Sequence, residues 1–374
     1  MQLVRRGDRG LVVAEIRSKL AVLGLLSEAG PADGVFDEAC DSAVRHFQQR
    51  RGLMVDGIVG EQTYRALDEA RWRLGDRLLY HHVNHPFVGD DVAALQARLL
   101  ELGFDTGRAD GIFGVATAAA LREFQRNVGL EPDGTFGPVT IRAMDQLRRT
   151  VVGGSPATLR EREALHRAGG RLAGKVVIVD PGHGGADTGW AVDDVTEAAV
   201  MVDVAARVEG RLAAAGALPF LTRSPDGWAS DRDRAAFANA SEADLLVSLH
   251  SDGIAGCPNA QGVSTYYFGS SPEHRSAVGE RLAELVQHEL VARTDLLDGR
   301  TQPKTWDLLR LTRMPAIRVE VGYLTNPGDA ARLADPTFRD TVAEAIFVAV
   351  QRLYLPTDQD PGTGQLRLPA LQAV

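Results

Sequence analysis

The chain repeats itself, and an internal duplication restricts the available folds more than any single motif does. Residues 7–67 and 87–144 are two copies of one unit. In the first helical stretch, Val13, Ile16, Leu20, Leu23 and Gly24 correspond to Val92, Leu95, Leu99, Leu102 and Gly103, at a constant offset of 79. After the next loop the offset becomes 77. Asp33, Gly34, Phe36, Phe47, Gln48, Gly52, Asp56, Gly57, Gly60 and Thr63 then correspond to Asp110, Gly111, Phe113, Phe124, Gln125, Gly129, Asp133, Gly134, Gly137 and Thr140. Apolar steps of three and four that stop at a glycine predict a helix. Two Asp-Gly turns separate it from two further helical stretches, and Gly137-Pro138 opens the last one in the second copy. Each copy is therefore expected to be an all-α three-helix bundle, over residues 1–72 and 83–148.

Residues 149–174 lose this rhythm to glycine, serine, proline and charge, and predict a linker with a short helix over 158–166. From 175 to 355 strand and helix patterns alternate. Strands are expected at 176–179, 218–221, 245–250, 263–268 and 317–321, and helices at 196–215, 232–240, 272–293 and 338–353. That alternation predicts an α/β domain with a mostly parallel sheet. Residues 356–374 begin with proline, glycine and acid and end apolar. They predict a flexible tail whose Leu366, Leu368 and Leu371 suit a protein partner.

Within the α/β region four residues stand out by position. The run Val176–Val179 stops at Asp180-Pro181-Gly182, and His183 follows among glycines. A strand ending in a tight turn places the next side chain at the carboxyl edge of a sheet, where ligands bind in open α/β folds. His250 ends the strand LLVSLH and belongs to the same edge if the strands are parallel. Glu197 opens a helix on the stripe of Met201, Ala205, Val208 and Leu212, and Glu320 lies inside the apolar run AIRVEVG. A carboxylate on a core face needs a partner or a task. Two imidazoles and one carboxylate at a common edge make a Zn²⁺ site with an open position, and a second carboxylate beside it can act as general base. The plainer alternatives are hydrogen-bonded core histidines, a first-turn glutamate favoured by the helix dipole, and a Glu320 that merely pairs with Arg318. Asp180, Asp187, Asn239 and Asp244 read as loop-shaping residues. Arg318 shares a strand face with Glu320, and such a cation is expected to hold Glu320 ionised with a lowered pKa.

Composition narrows the class. The 374 residues are 44% hydrophobic and 24% charged, with a formal net charge of -9. An acidic chain argues against nucleic acid as partner. The N-terminus has no apolar core of signal-peptide length, and no stretch reaches the roughly 18–20 apolar residues of a membrane span. A cytoplasmic location is therefore expected, with release from the cell by another route left open. Cys40 and Cys257 are read as free thiols.

The pattern LQARLLELGF, DGIFGVAT, LREFQRNVGL and DGTFGPVT resembles the peptidoglycan-binding domain family of bacterial wall hydrolases over both copies. The resemblance implies bundles that dock on peptidoglycan. The first copy has Arg17, Asp37 and Cys40 where the second has Gln96, Gly114 and Thr117, and is expected to have lost wall binding. DPGHGGADTG, the Glu197 helix, ANASEADLLVSLHSD and MPAIRVEVGYLTN resemble the zinc-dependent N-acetylmuramoyl-L-alanine amidases of the amidase-3 type. That resemblance implies His183, Glu197 and His250 as zinc ligands, Glu320 as the catalytic carboxylate, and peptidoglycan, a muropeptide or a wall precursor as partner. Ala198 and Asp252 depart from the lysine and asparagine common there. The architecture is also similar to actinobacterial cytosolic amidase-like regulators of precursor synthesis, which implies an alternative role through binding.

Overall fold

The structure, a computed structural model, describes residues 3–27, 34–147, 156–270, 274–356 and 359–366. It contains two compact units, Met1–Arg160 with Ser270–His274, and Glu161–Gly269 with Arg275–Val374.

The first unit holds the duplication. Helices α1 (Leu11–Val22), α2 (Glu38–Arg50) and α3 (Glu61–Ala70) form one copy, and α4 (Asp90–Glu101), α5 (Val115–Asn127) and α6 (Pro138–Gln146) the other. Each copy buries its own apolar cluster, around Ile16, Leu20, Phe36 and Phe47 in the first and Leu95, Leu99, Phe113 and Phe124 in the second. The repetition extends to the backbone: the bridges Val4–Val59 and Arg9–Val35 recur as Leu79–Phe136 and Val88–Ile112.

A buried glutamine fastens three of the four Asp-Gly turns to the helix before them. Gln125 donates to Asp133 Oδ1 at 2.7 Å and to the Thr135 carbonyl at 3.1 Å, and its Oε1 accepts from Gly134 N at 2.9 Å. Gln48 treats Asp56, Ile58 and Gly57 alike, and Gln96 does so with Asp110, Ile112 and Gly111. One amide thus satisfies both the donor and the acceptors of a turn held against the interior. At the fourth equivalent position stands Arg17, which donates to the Val35 carbonyl at 2.9 Å and pairs with Asp37 at 2.9 Å. Cys40, in place of Thr117, is fully buried. These departures of the first copy rebuild an internal fastener and carry no information about a binding surface.

Helix α7 (Pro156–Arg167) leads into the second unit. There follow β1 (Val176–Pro181), β2 (Ala191–Val192), β3 (Val195–Thr196), α8 (Glu197–Ala214), β4 (Leu218–Leu221), α9 (Asp231–Ala240), β5 (Leu245–Asp252) and β6 (Val263–Phe268). The rest comprises α10 (Ala277–Arg293), β7 (Asp298–Lys304), α11 (Asp307–Leu311), β8 (Ala316–Tyr323), α12 (Pro327–Ala334) and α13 (Pro336–Tyr354). Six strands pair in the order β4-β1-β5-β8-β6-β7, with β2 and β3 as a separate hairpin. Every neighbouring pair in the large sheet is parallel except β6 with β8.

Strand alternation splits the core into two layers. Val177, Val179, Val247, Leu249, Ile317 and Val319 pack with the apolar stripes of α8, α10 and α13. Ile178, Leu246, Tyr266 and Ala316 face α9 and α11. The described tail residues 359–366 also lie against this unit. Asp360 accepts from Arg352 Nε at 2.7 Å, Gly364 N donates to Glu289 Oε1 at 3.2 Å, and the Leu366 carbonyl accepts from Arg293 at 2.6 Å. Glu289 is fully buried, so its carboxylate draws both arginines and the tail into one network. Leu368 and Leu371 lie outside the described residues.

Candidate metal centre

The site grows out of three adjacent parallel strands. Register pairs Asp180 with Ser248, Ser248 with Arg318, and His250 with Glu320. These side chains therefore share the face of Ile178, Leu246 and Ala316, which turns from apolar to polar towards the carboxyl ends of the strands.

His183 lies just beyond β1 with φ of 55°, in the left-handed region that non-glycine residues seldom occupy. Two buried arginines hold this backbone. Arg234 donates to the carbonyls of Pro181 and His183, both at 2.7 Å, and Arg223 to those of Pro181 at 2.9 Å and Gly182 at 2.8 Å. Asp180 anchors Arg234 at 2.5 Å and accepts from Ser248 Oγ at 2.6 Å and from the Thr222 hydroxyl. Burial alone would raise the Asp180 pKa, but the Arg234 charge and the two hydroxyls hold it below the usual carboxylate range.

Glu197 is the first residue of α8, after Thr196, whose hydroxyl accepts from Ala199 N at 3.3 Å. Its carboxylate is the meeting point of the site. Oε1 lies 3.2 Å from His183 Nε2 and 2.9 Å from His250 Nδ1, and accepts from Ser251 N at 3.1 Å. Oε2 accepts from Trp190 N at 3.1 Å. On its other side, His183 Nδ1 lies 2.9 Å from Asp187 Oδ2. One donor atom from each of His183, Glu197 and His250 falls within 4.8 Å of the others. Glycine makes this approach possible: a Cβ on Gly182 would lie 2.2 Å from His250 Cε1, and one on Gly189 2.5 Å from Glu197 Oε2.

Electrostatics follow from this convergence. Burial works against a charged Glu197, but the two imidazoles hold its carboxyl far below the ordinary range. The same carboxylate raises the pKa of His183. Burial, aided by the Arg318 charge, depresses His250 to about 4. Neutral imidazoles and an ionised carboxylate are the forms that bind a metal. Tetrahedral zinc bonds of about 2.0–2.2 Å place donors roughly 3.3 Å apart, and Glu197 Oε1 lies 3.2 Å and 2.9 Å from the two imidazole nitrogens. The residues thus fit a divalent ion, and an Asp187–His183 contact is the outer-shell partner such a ligand usually has.

Glu320 is 5% exposed. Its Oε1 accepts from Arg318 Nε at 2.7 Å, with Arg318 Nη2 at 2.6 Å, while Oε2 is buried without a hydrogen-bond partner. The sequence led us to expect that Arg318 would lower the Glu320 pKa. Arg318 does pull it down, but burial pushes harder, and the carboxyl rises to about 7. The pattern of the strand revealed the cation but not the depth of burial.

The structure thus brings His183, Glu197 and His250 together and sets Glu320 on the neighbouring strand. Sequence reasoning read Asp180 and Asp187 as loop-shaping residues, without their partners Arg234 and His183, and missed Arg223 and Arg234. A charge in the β1 apolar run was a signal for Asp180, the same one that singled out Glu320. Nothing local marks the arginines, whose bonds to the Pro181–His183 backbone cross from 41 to 53 residues of chain.

Comparison with known proteins agrees with this architecture. Residues 177–352 match the N-acetylmuramoyl-L-alanine amidase family, and residues 9–67 and 88–144 match the putative peptidoglycan binding domain. The chain is 47% identical over 382 residues to the N-acetylmuramoyl-L-alanine amidase CwlM of Mycobacterium tuberculosis, covering 99% of this chain and 94% of that one. It is 30% identical to the amidase LytC of Bacillus subtilis over 63% of this chain and 47% of LytC. A solved amidase from Clostridium difficile is 29% identical over 47% of this chain and 95% of its own, with a TM-score of 0.45. The match to CwlM along nearly the whole chain and the two family matches lead to one conclusion: the chain belongs to the N-acetylmuramoyl-L-alanine amidase family and carries two peptidoglycan-binding repeats ahead of its amidase domain.

Proposed function

We propose that the chain hydrolyses the amide between the lactyl group of N-acetylmuramic acid and L-alanine, in peptidoglycan or a muropeptide, with zinc held by His183, Glu197 and His250. The observation that carries this reading is the convergence of three metal-binding side chains beside a buried carboxylate on the next strand. When bound, zinc would acidify a water and polarise the amide carbonyl. The Glu320 carboxylate accepts a proton from the attacking water and delivers it to the leaving amine of L-alanine. An acid with a pKa near neutrality suits both steps. Asp187 keeps the His183 ring in one orientation, and Arg223 and Arg234 keep the loop beneath it in place. The repeats hold the chain on peptidoglycan.

One observation favours the second reading, a regulator that binds wall precursors without cutting them. Arg318 engages Glu320 directly, and a carboxylate so occupied is a poorer proton acceptor. The two readings separate in one experiment. Zinc content is measured in the purified full chain, and new L-alanine amino termini are followed from peptidoglycan for wild type and Glu320→Ala. Bound zinc with a loss of about 10²-fold or more in the variant is the outcome expected of the enzyme. Bound zinc with equal, negligible release in both overturns the enzyme and supports the regulator. Protein without zinc after metal-replete purification removes both the ligand assignment and the mechanism.

A further inference from the structure

We infer that Trp190 and Trp228 form a saccharide platform at the mouth of the metal centre, and that the sugar half of the substrate stacks there. The inference rests on the amidase reading and goes further by assigning a place to one half of the substrate.

Both tryptophans are fixed to loops that carry the site. Trp190 gives its N–H to Glu197 Oε2 at 3.1 Å, and its carbonyl accepts from Glu197 N at 2.8 Å. Its ring lies against Gly253, three residues past His250, where an added Cβ would come within 2.3 Å of the indole. The backbone and Cβ of Trp228 lie against the glycines that follow His183: a Cβ on Gly185 would lie 3.1 Å from the Trp228 Cβ, and the Gly227 carbonyl would lie 2.2 Å from a Cβ on Gly184. Yet the two residues remain 37% and 59% exposed. The other two tryptophans of the chain, Trp72 and Trp306, lie beneath arginine guanidinium groups. An indole left open to water forgoes its large burial gain unless something covers it. Here two of them stand on loops packed against the His183 and Glu197 segments of one site.

Charge selects the ligand. The segments 182–198 and 224–231, which carry the two rings, contain no lysine or arginine, the second lying between buried Arg223 and exposed Arg232, which pairs with Asp307 at 3.9 Å. Asp187, Asp193, Asp194 and Asp226 on them are exposed. Such a rim repels the carboxylates of a stem peptide. Cations instead stand on the far strands, Arg318 on β8 and Lys304 at the end of β7. A muramoyl sugar whose acid is tied up as an amide carries no charge, and its C–H face stacks on an indole while its hydroxyls stay in water. The scissile amide is one lactyl unit from that sugar, so a ring bound at the metal centre must lie at its mouth.

The test reads binding and needs no turnover. Full-length, zinc-loaded Glu320→Gln chain is labelled with 5-fluorotryptophan, and its fluorine signals are assigned by single Trp→Phe changes. The probes are N-acetylglucosaminyl-N-acetylmuramoyl-L-alanyl-D-isoglutamine, the same disaccharide without peptide, and L-alanyl-D-isoglutamine without sugar. Both sugar-bearing probes are expected to shift the Trp190 and Trp228 signals and to leave Trp72 and Trp306 unmoved. Trp228→Ala and Trp190→Ala are expected to raise the muropeptide Kd roughly tenfold each, with Phe restoring most of it and the sugar-free peptide changing less than about twofold. Zinc content is measured for every variant, and Trp228→Ala carries the test if Trp190→Ala loses its metal. Signals that ignore the sugar, or that move equally with the sugar-free peptide, overturn the platform. A wild type that binds sugar here but releases no L-alanine amino termini would instead refute the amidase reading alone.

Discussion

Glu320 and Arg318 stand two residues apart on one face of β8, and their balance of charge and burial sets the chemistry available to the site. A general base must be unprotonated, so kcat/KM is expected to fall as pH drops below about 7, the pKa to which burial lifts Glu320. The guanidinium opposes that lift. Arg318→Met should therefore move the acid limb of the pH–kcat/KM profile upward, and a limb that stays in place would show that the two groups are uncoupled in the working enzyme. Asp187 is the second residue to test. Asp187→Asn leaves the fold intact but weakens the contact that orients His183, and zinc affinity measured against a chelator should drop about 10–100-fold.

Among elements, the glutamine fastener explains why helices as short as nine or ten residues hold together in the repeats. Gln125→Ala would leave the buried Gly134 N without its acceptor and remove a donor to Asp133 and the Thr135 carbonyl, at a cost of about 1–3 kcal/mol in chemical denaturation. The helices of both copies were readable from the apolar spacing. The fastener was not, because Gln48, Gln96 and Gln125 look polar in sequence and are almost completely buried in the fold. Strand β7 escaped for a related reason. Its sequence, DGRTQPK, has no apolar alternation, and it joins the sheet as an edge by pairing with β6. An edge strand with solvent on one side needs little hydrophobic content, so composition gives no sign of it.

At the scale of the molecule, the second unit closes around its own tail. Arg352 reaches buried Glu289 at 2.6 Å and Asp360 at 2.7 Å. Removing one partner from such a pair leaves an uncompensated buried charge. Arg352→Met is expected to destabilise the unit by about 3–5 kcal/mol and to release residues 359–366, seen as faster amide exchange there. Unchanged exchange would mean that the apolar contact of Leu366 suffices to hold the segment. Repetition, helix spacing and the β/α alternation are local properties, and the chain carries them in its residue order. The types of the four site residues could be picked out for the same reason, since Glu197, His250 and Glu320 interrupt or end a local apolar pattern and His183 follows a strand-ending turn among glycines. The meeting of His183, Glu197 and His250, the arginines beneath them and the direction of the Glu320 shift all depend on distance and burial between segments far apart along the chain. Desolvation and convergence are properties of the folded interior, and no local pattern encodes their magnitude.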